Sequence, residues 1–466
     1  MRLLCVDHYF AQDIEAIQAS VPAGSRCWSI GWEHFYVIAR RFFPEEVFTG
    51  IEAYFRPEHA AARDRYANAV SRELERLHRI YRFDALLAPS DTFFWIRAPA
   101  QWCREHGIPF VVLQKEATIP PGWMEGPARE WGEISPFIGD LMLVSSDHHR
   151  QFWINAGVSA DTVVVTGQPR FDLYARPERR RTWRELGIAE PSRPAVLFLT
   201  YDASAYLPLI DRTGLAPWLQ LRTETEQALL ELARAGEVEV LVKPHPQPAE
   251  DQTAHLRELA REPGVRILDP RGDVRYSILN ADVVVGFQST ALLEALAAGR
   301  PTIYTWWTEQ VEHAAGLIPF HEQPEAISVA RSPEELQQAV RSAVEAAPAG
   351  SDAARELVEL YLGRVDGHAA ERCLAEIVRI CEGTAVTPAR RKLQSVTRAE
   401  RAQTLGKTAA AAGTWAFAAR VTPLAYRAHR LHARFGRRQA VDSVAFREHL
   451  ARLRRRSAQD LRAFLG

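Results

Sequence analysis

A cation and an imidazole follow a predicted strand in the stretch LVKPHPQPAED, residues 241–251. Lys243 and His245 flank Pro244, and Pro246 follows directly. Each proline fixes φ at about −65°, so His245 is held on a rigid loop. Such a loop suits side chains that must point at a ligand, an anion above all. A solvated lysine and a packed imidazole remain the alternative from these residues alone.

A second group of candidate residues lies where a predicted strand meets a helix in ADVVVGFQSTALLEALAAGRPTIY, residues 281–304. Gln288, Ser289 and Thr290 stand at this junction, and Ser289 or Thr290 is a natural helix N-cap. Free N–H groups and the helix dipole make such a start an anion site. The hydroxyls would add donors for a diphosphate, and Glu294 could accept hydrogen bonds from ribose hydroxyls. Ordinary helix capping explains the Ser-Thr pair equally well.

Short apolar runs alternate with helical patterns as far as about residue 385. Most runs are continuous rather than alternating, as expected for parallel strands that are covered on both faces. The sequence therefore predicts an α/β fold of repeated βα units. The predicted strands are RLLCVD, FDALLAPS, PFVVLQ, DLMLVSS, TVVVTG, AVLFLTY, VEVLVKPHP, VRILD, ADVVVGFQ, PTIYT and AISVA.

A charged, proline-interrupted stretch over 172–194 separates two sets of predicted strands. We predict an N-terminal Rossmann-like domain over 1–175, a C-terminal Rossmann-like domain over 176–385 and a basic helical extension over 386–466. Ligands bind such sheets at the carboxyl ends of their strands, which is where both candidate loops lie.

The extension carries the chain's charge asymmetry. The whole chain has a net charge of −1, yet residues 386–466 contain 18 Lys/Arg and 4 Asp/Glu. Its start, EGTAVTPARRKLQ, has the composition of a linker, and a basic amphipathic helix is predicted to begin at Thr422. Such a helix can lie on an anionic membrane or pack on the body of the protein. Nucleic acid is not expected as a partner, because no recognised reading motif accompanies the charge.

Length and composition fit a globular protein with two or three domains in 466 residues. We find no run of about 18 apolar residues and no signal peptide. The five cysteines are scattered without a CxxC pair, which favours a reducing cytoplasm and no zinc site. A cytoplasmic location is expected, with attachment to the inner face of the cell membrane left open.

Four segments in order resemble a known family. VKPHP and ADVVVGFQSTALLEALAAGRP resemble the donor domain of GT-B glycosyltransferases, most closely bacterial capsule and surface-carbohydrate enzymes. VVVTGQPRFD is similar to the TGxPRxD segment of CDP-glycerol glycerophosphotransferase relatives, and DGHAAERCLAEIV to their final-helix segment. The resemblance implies a GT-B fold, with two Rossmann-like domains facing across a cleft. It also implies a nucleotide-sugar donor, no bound metal and no cofactor.

One departure bears on the donor. The glycerophosphotransferase pattern has an Asp-Tyr-Ser-Ser run where this chain has GFQSTALLEA. The difference favours a nucleotide-sugar held by Lys243, His245, Gln288, Ser289, Thr290 and Glu294, with His245 also stabilising the leaving diphosphate.

An inverting transfer needs a base in the acceptor half. Asp91 follows the strand in LLAPSDTFFW, and Glu116 follows the strand in VVLQKEATIPPGW beside Lys115. We favour Glu116 as the base, since surface-carbohydrate relatives often carry a Lys-Glu or acidic pair there, and place Asp91 second. His8 is a third candidate, and a plain surface carboxylate is the competing interpretation.

The function predicted from the sequence is glycosyl transfer from a nucleotide-sugar to a cell-surface polysaccharide or lipid-linked acceptor. Two alternatives stay open: transfer of a polyol phosphate from a CDP-activated donor, and epimerisation of a nucleotide-sugar at C2. A non-catalytic binding component of an export assembly is a further alternative.

Overall fold

The structure is a computed structural model. It describes residues 1–8, 10–48, 51–115, 118–200, 215–245, 250–287, 289–307, 318–345 and 350–407. Glu116, Gln288 and the predicted helix from Thr422 onward therefore lie outside the described residues. Within the described ranges, no helix is both long and apolar enough to cross a membrane.

The described residues contain twelve strands, which form two six-stranded sheets. The first has the order β2-β1-β3-β4-β5-β6 and the second the order β12-β11-β10-β7-β8-β9, and the strand pairs with a described register are parallel. The strands are β1 (Arg2–Asp7), β2 (Arg26–Gly31), β3 (Ala85–Ala88), β4 (Phe110–Leu113), β5 (Leu141–Val144), β6 (Val163–Val165), β7 (Ala195–Leu199), β8 (Glu239–Lys243), β9 (Val265–Ile267), β10 (Val283–Gly286), β11 (Thr302–Thr305) and β12 (Ser328–Ala330).

Helices connect the strands, as parallel pairing requires. They are α1 (Ala11–Ser20), α2 (Glu33–Ala39), α3 (Ile51–Phe55), α4 (Ala60–Tyr81), α5 (Phe94–His106), α6 (Gly126–Ile134), α7 (Asp147–Asn155), α8 (Leu215–Arg234), α9 (Glu250–Leu259), α10 (Val274–Asn280), α11 (Thr290–Ala297), α12 (Pro333–Glu345), α13 (Asp352–Leu362), α14 (Ala369–Gly383) and α15 (Pro388–Gln394).

The apolar runs of the sequence account for every strand except β2. Strands β3, β4, β5, β7, β8 and β10 are buried along their whole length, which is why they read as continuous apolar runs. Strand β2 lies at the edge of its sheet, and only Trp28 and Ile30 are buried in it. Its sequence, RCWSIG, lacks the apolar run on which the prediction depended.

Two compact units make up the chain. The first comprises residues 1–115, 132–143 and 374–466, and the second comprises residues 116–131 and 144–373. The α/β fold with two sheets confirms the predicted fold class. The domain limits at residues 175 and 385 stay predictions.

In the second unit, the sheet has an apolar core on each face. Leu197, Leu199 and Leu241 belong to one core, together with residues of α10, α11 and α13. Val196 and Phe198 belong to the other, together with residues of α8 and α12. Because both faces of the sheet are covered by apolar cores, the strands are held in place. The sequence of the loops at their ends can then vary without disturbing the core.

The first residues of the extension pack on the first unit, so the linker predicted at its start is wrong. Thr387 caps α15, and its hydroxyl donates to the carbonyl of His106 (2.9 Å). Arg390 is buried and donates to the carbonyl of Gly107 (3.0 Å), and Arg401 donates to the carbonyl of Arg79 (3.0 Å). These carbonyls lie at the C-terminal ends of α5 and α4, where backbone oxygens lack partners within the helix.

Candidate donor and acceptor sites at the strand ends

The two candidate loops of the second unit leave the same edge of the sheet. Gly286 on β10, Leu199 on β7 and Lys243 on β8 lie in register across three adjacent strands. A Cβ at Gly286 would lie 3.1 Å from a methyl group of Leu292, so glycine lets α11 pack closely on this strand end. The sequence thus predicted correctly that both loops start at one carboxyl edge.

Lys243 is buried rather than solvated. Its side chain is 5% exposed, and its ammonium group donates to the carbonyl of Pro270 (2.7 Å) and, at longer range, to that of Pro244 (3.3 Å). Burial lowers the pKa of Lys243 to about 8, although Asp269 and Asp273 act to raise it. The lysine is therefore a fixed cation at the strand end whose charge is sensitive to mildly alkaline pH.

His245 lies two residues further along and is exposed. The prolines on either side of it fit the predicted rigid loop, of which the structure describes the chain only as far as His245 itself. Its predicted contact with a diphosphate stays a prediction.

Ser289 is the N-cap of α11, as the sequence predicted. Its hydroxyl accepts a hydrogen bond from the N–H of Ala291 (3.2 Å), and its backbone is extended, with φ −125° and ψ 133°. Thr290 is the first residue of the helix and is exposed. The start of α11 therefore combines the positive end of a helix dipole with an exposed hydroxyl, as an anion site requires.

Glu294 is buried one turn into α11. Its carboxylate accepts a hydrogen bond from the hydroxyl of Tyr174 (2.6 Å), and burial raises its pKa. Arg275, which is paired with Asp273 (2.7 Å), and Arg170 act to lower it. In the structure Glu294 thus holds the segment of Tyr174 against α11. The predicted ribose contact stays a prediction.

In the first unit, Asp91 follows β3 and is fully buried. Its Oδ2 accepts a hydrogen bond from the N–H of Ile138 (3.1 Å) and lies 3.6 Å from a guanidinium nitrogen of Arg97. Its Oδ1 accepts no hydrogen bond from any described residue. Burial raises the pKa of Asp91 to about 6, although Arg97 acts to lower it. A carboxylate with one oxygen fixed, the other unoccupied and a pKa near neutrality is suited to general-base chemistry.

Gln114 lies at the end of β4, directly beside the end of β3. The N–H of Lys115 donates to the carbonyl of Pro89 (3.2 Å), so the two chain segments stay adjacent beyond the paired strands. Gln114 is 3% exposed, and its Nε2 has no hydrogen-bond partner in the described part of the chain. Gln114 is not among the residues predicted from the sequence, because a glutamine after an apolar run carries no motif.

Aromatic rings surround His8 at the end of β1. The imidazole lies edge-on to Trp32 (4.8 Å between ring centroids) and to Phe93 (4.5 Å). Phe93 in turn stacks on Trp95 (5.3 Å). His8, Trp32 and Phe93 are partly exposed, and Phe93 comes two residues after Asp91. Aromatic and polar side chains therefore lie at one edge of the first sheet, at the ends of strands β1, β2, β3 and β4.

No group of three or more His, Cys, Asp or Glu side chains in the described part of the chain is arranged to hold a metal ion. The candidate groups described above are the ammonium of Lys243, the start of α11, the carboxylate of Asp91 and the amide of Gln114.

Comparison with known proteins gives one family match. Residues 106–379, more than half of the chain, match the family described as CDP-glycerol:poly(glycerophosphate) glycerophosphotransferase. A search of curated protein sequences gave no match.

Solved structures with a similar fold include a UDP-N-acetylglucosamine 2-epimerase from Listeria monocytogenes, at 13% identity and a TM-score of 0.51, covering 82% of this chain and 97% of that chain. Another is a variant of the wall teichoic acid polymerase TagF, at 10% identity and a TM-score of 0.50, covering 82% of this chain and 89% of that chain. At such identities the likeness concerns the fold alone, the two-domain α/β fold of GT-B proteins.

Proposed function

The chain belongs to the CDP-glycerol:poly(glycerophosphate) glycerophosphotransferase family, and on this basis we propose that it transfers a polyol phosphate from a CDP-activated donor to a hydroxyl group. The observation that carries the proposal is the family match over residues 106–379. The acceptor is a glycan or a lipid-linked chain that offers a free hydroxyl.

The donor's diphosphate binds at the start of α11 in this proposal. Ser289 and Thr290 supply the helix start, and Lys243 and His245 supply positive charge and an N–H donor. The buried position of Lys243 supports this role, since a cation in a low-dielectric site attracts an anion more strongly than one in water.

The reaction joins the acceptor oxygen to the phosphorus that bears the polyol. That bond forms while the bond from this phosphorus to the bridging oxygen breaks, and CMP leaves with the electron pair. The hydroxyl proton passes to a carboxylate. Asp91 fits this task by its unoccupied Oδ1 and its pKa of about 6. Glu116 remains the other candidate base.

Glycosyl transfer from a nucleotide-sugar is the second candidate function. It is favoured by the sequence Gln288-Ser289-Thr290, which stands where the glycerophosphotransferase pattern has an Asp-Tyr-Ser-Ser run. In that reaction the acceptor oxygen attacks the anomeric carbon and a nucleoside diphosphate leaves.

Thermal unfolding with candidate donors tests the proposal. A ligand at about 100 times its dissociation constant stabilises a protein by roughly 2.7 kcal/mol. We expect CDP-glycerol to raise the melting temperature, whereas CMP-, UDP- and GDP-sugars should raise it less. A larger increase with a nucleotide-sugar would favour the second candidate, and no increase with any of them would contradict both.

A further inference from the structure

Two buried polar atoms that have no partner among the described residues lie at neighbouring strand ends of the first unit. They are Oδ1 of Asp91, a hydrogen-bond acceptor, and Nε2 of Gln114, a donor. Both side chains are more than nine-tenths buried. Strands β3 and β4 are in register, with Ala88 opposite Val112, so the two residues leave adjacent strands at the same edge.

Folded proteins seldom leave such groups unpaired. Burying a donor or an acceptor without a partner costs free energy, and most buried polar atoms are therefore hydrogen-bonded. Here an acceptor and a donor stand at adjacent strand ends, and the other oxygen of Asp91 is held by Arg97 and Ile138. A group that both donates and accepts, such as a hydroxyl, complements this pair.

The surroundings point to a hydroxylated carbon compound. Trp32 and Phe93 are partly exposed at the same edge and present apolar ring surface. Lys115 and Thr92 are also partly exposed, so solvent reaches the immediate neighbours of both buried groups. Polar atoms that fix hydroxyls beside apolar ring surface are a combination suited to sugars and polyols.

We propose that Gln114, together with Asp91, binds a hydroxyl group of the acceptor at the carboxyl edge of the first sheet. Nε2 of Gln114 donates to the hydroxyl oxygen, and Oδ1 of Asp91 accepts its proton. Gln114 thereby orients the hydroxyl whose proton Asp91 removes. This inference rests on the proposed transferase function and adds to it the residue that recognises the acceptor.

If Gln114 binds the acceptor hydroxyl, its replacement should weaken ligand binding without lowering the stability of the protein. Replacing Gln114 with Leu removes a buried Nε2 that has no partner among the described residues, so the melting temperature should stay level or rise. Binding of a hydroxylated probe should weaken at the same time, by about 2- to 10-fold, because one hydrogen bond to the ligand is lost. Gln114→Met, which keeps the unbranched chain, should behave in the same way.

The probes are glycerol, an acyclic polyol, and methyl glucoside, a cyclic sugar. Saturation-transfer NMR measures their binding to the full-length protein. Gln101→Leu is the matched control, since Gln101 is exposed on α5 and bonds only to Glu105 (3.0 Å) among the described residues. We expect the control to bind the probes as the unaltered protein does, and the signal of both Gln114 variants to fall in line with this weakening.

A fall in the melting temperature of both Gln114 variants, with probe binding intact, would mean that the amide is bonded within the fold, and it would overturn the proposal. Equal probe signals from the unaltered protein and the variants, or no signal at all, would overturn it as well. Donor binding, followed by the CDP-glycerol melting shift on the same samples, is a separate readout. Its absence would count against the proposed function rather than against this site.

Discussion

Asp91 and Lys243 are buried ionisable side chains whose pKa values lie on either side of neutrality, at about 6 and about 8. Burial is the main cause in both cases, and it acts in opposite directions because it disfavours a carboxylate in one and an ammonium in the other. Both groups therefore change charge within the pH range in which the protein is assayed.

Activity should consequently follow a bell-shaped pH profile. Below about pH 6 Asp91 takes up a proton and no longer accepts one from the acceptor, and above about pH 8 Lys243 loses the charge that attracts the donor. The arginine of a Lys243→Arg variant stays charged at alkaline pH, so the alkaline limb of the profile should move to higher pH. Steady-state rates between pH 5 and 9.5 measure this, and an alkaline limb unmoved by Lys243→Arg would contradict the assignment.

His245→Ala tests whether the exposed imidazole stabilises the leaving nucleotide. The interaction grows as negative charge develops on the leaving group, so turnover should fall more than donor affinity. Loss of one such donor typically costs about 10²–10³-fold in rate. The melting temperature should not change, since His245 is exposed beyond the end of β8. Unchanged turnover would leave His245 without a catalytic role.

The start of α11 has two expected roles, in the stability of the fold and in donor binding, and a pair of serine substitutions can separate them. Ser289 caps α11, and Ser351 caps α13 in the same unit by accepting from the N–H of Ala354 (3.0 Å). Either change to Ala should cost about 0.5–2 kcal/mol of stability. Only Ser289→Ala should also weaken donor binding, because only α11 starts at the candidate site. Thermal melts and donor titrations of both variants measure this, and equal donor affinity in the two would contradict it.

The elements differ in how far the sequence predicts them. The cap at Ser289 was predictable, because its partner Ala291 lies two residues away and cap preferences are local. The partners of Asp91 and Glu294 were not predictable, since Ile138 is 47 residues and Tyr174 120 residues away. Burial of Lys243 likewise depends on the carbonyl of Pro270, which is remote in sequence. Strand ends could be placed from the sequence, whereas the contacts made there depend on the tertiary fold.

At the scale of the whole molecule, the basic extension divides into two parts. Residues 387–401 include Thr387, Arg390 and Arg401, which cap helix ends of the first unit. Residues 408–466 carry 12 Lys/Arg and 3 Asp/Glu and lie outside the described residues. Truncation after Ala385 removes these three residues and should therefore lower the melting temperature, whereas truncation after Lys407 keeps their contacts.

The same truncation after Lys407 tests attachment to membranes. We propose that residues 408–466 bind anionic lipid surfaces, since each Lys or Arg near such a surface contributes about 1 kcal/mol. The truncated protein should lose binding to vesicles that contain phosphatidylserine, and neutral vesicles are the control. If it sediments with anionic vesicles as well as the full chain does, the proposal is wrong.

The nucleotide released from the donor tests the central claim most directly. The two phosphorus atoms of CDP-glycerol share a bridging oxygen. Transfer of the polyol phosphate breaks the bond from this oxygen to the transferred phosphorus, so CMP must leave. We would incubate the full-length protein with CDP-glycerol and with UDP- and GDP-sugars, each with glycerol as the probe acceptor, and resolve the nucleotides by phosphorus NMR. We expect CMP to appear from CDP-glycerol in step with a new phosphodiester. Release of a nucleoside diphosphate from a nucleotide-sugar, without CMP from CDP-glycerol, would show that the protein is not a polyol-phosphate transferase.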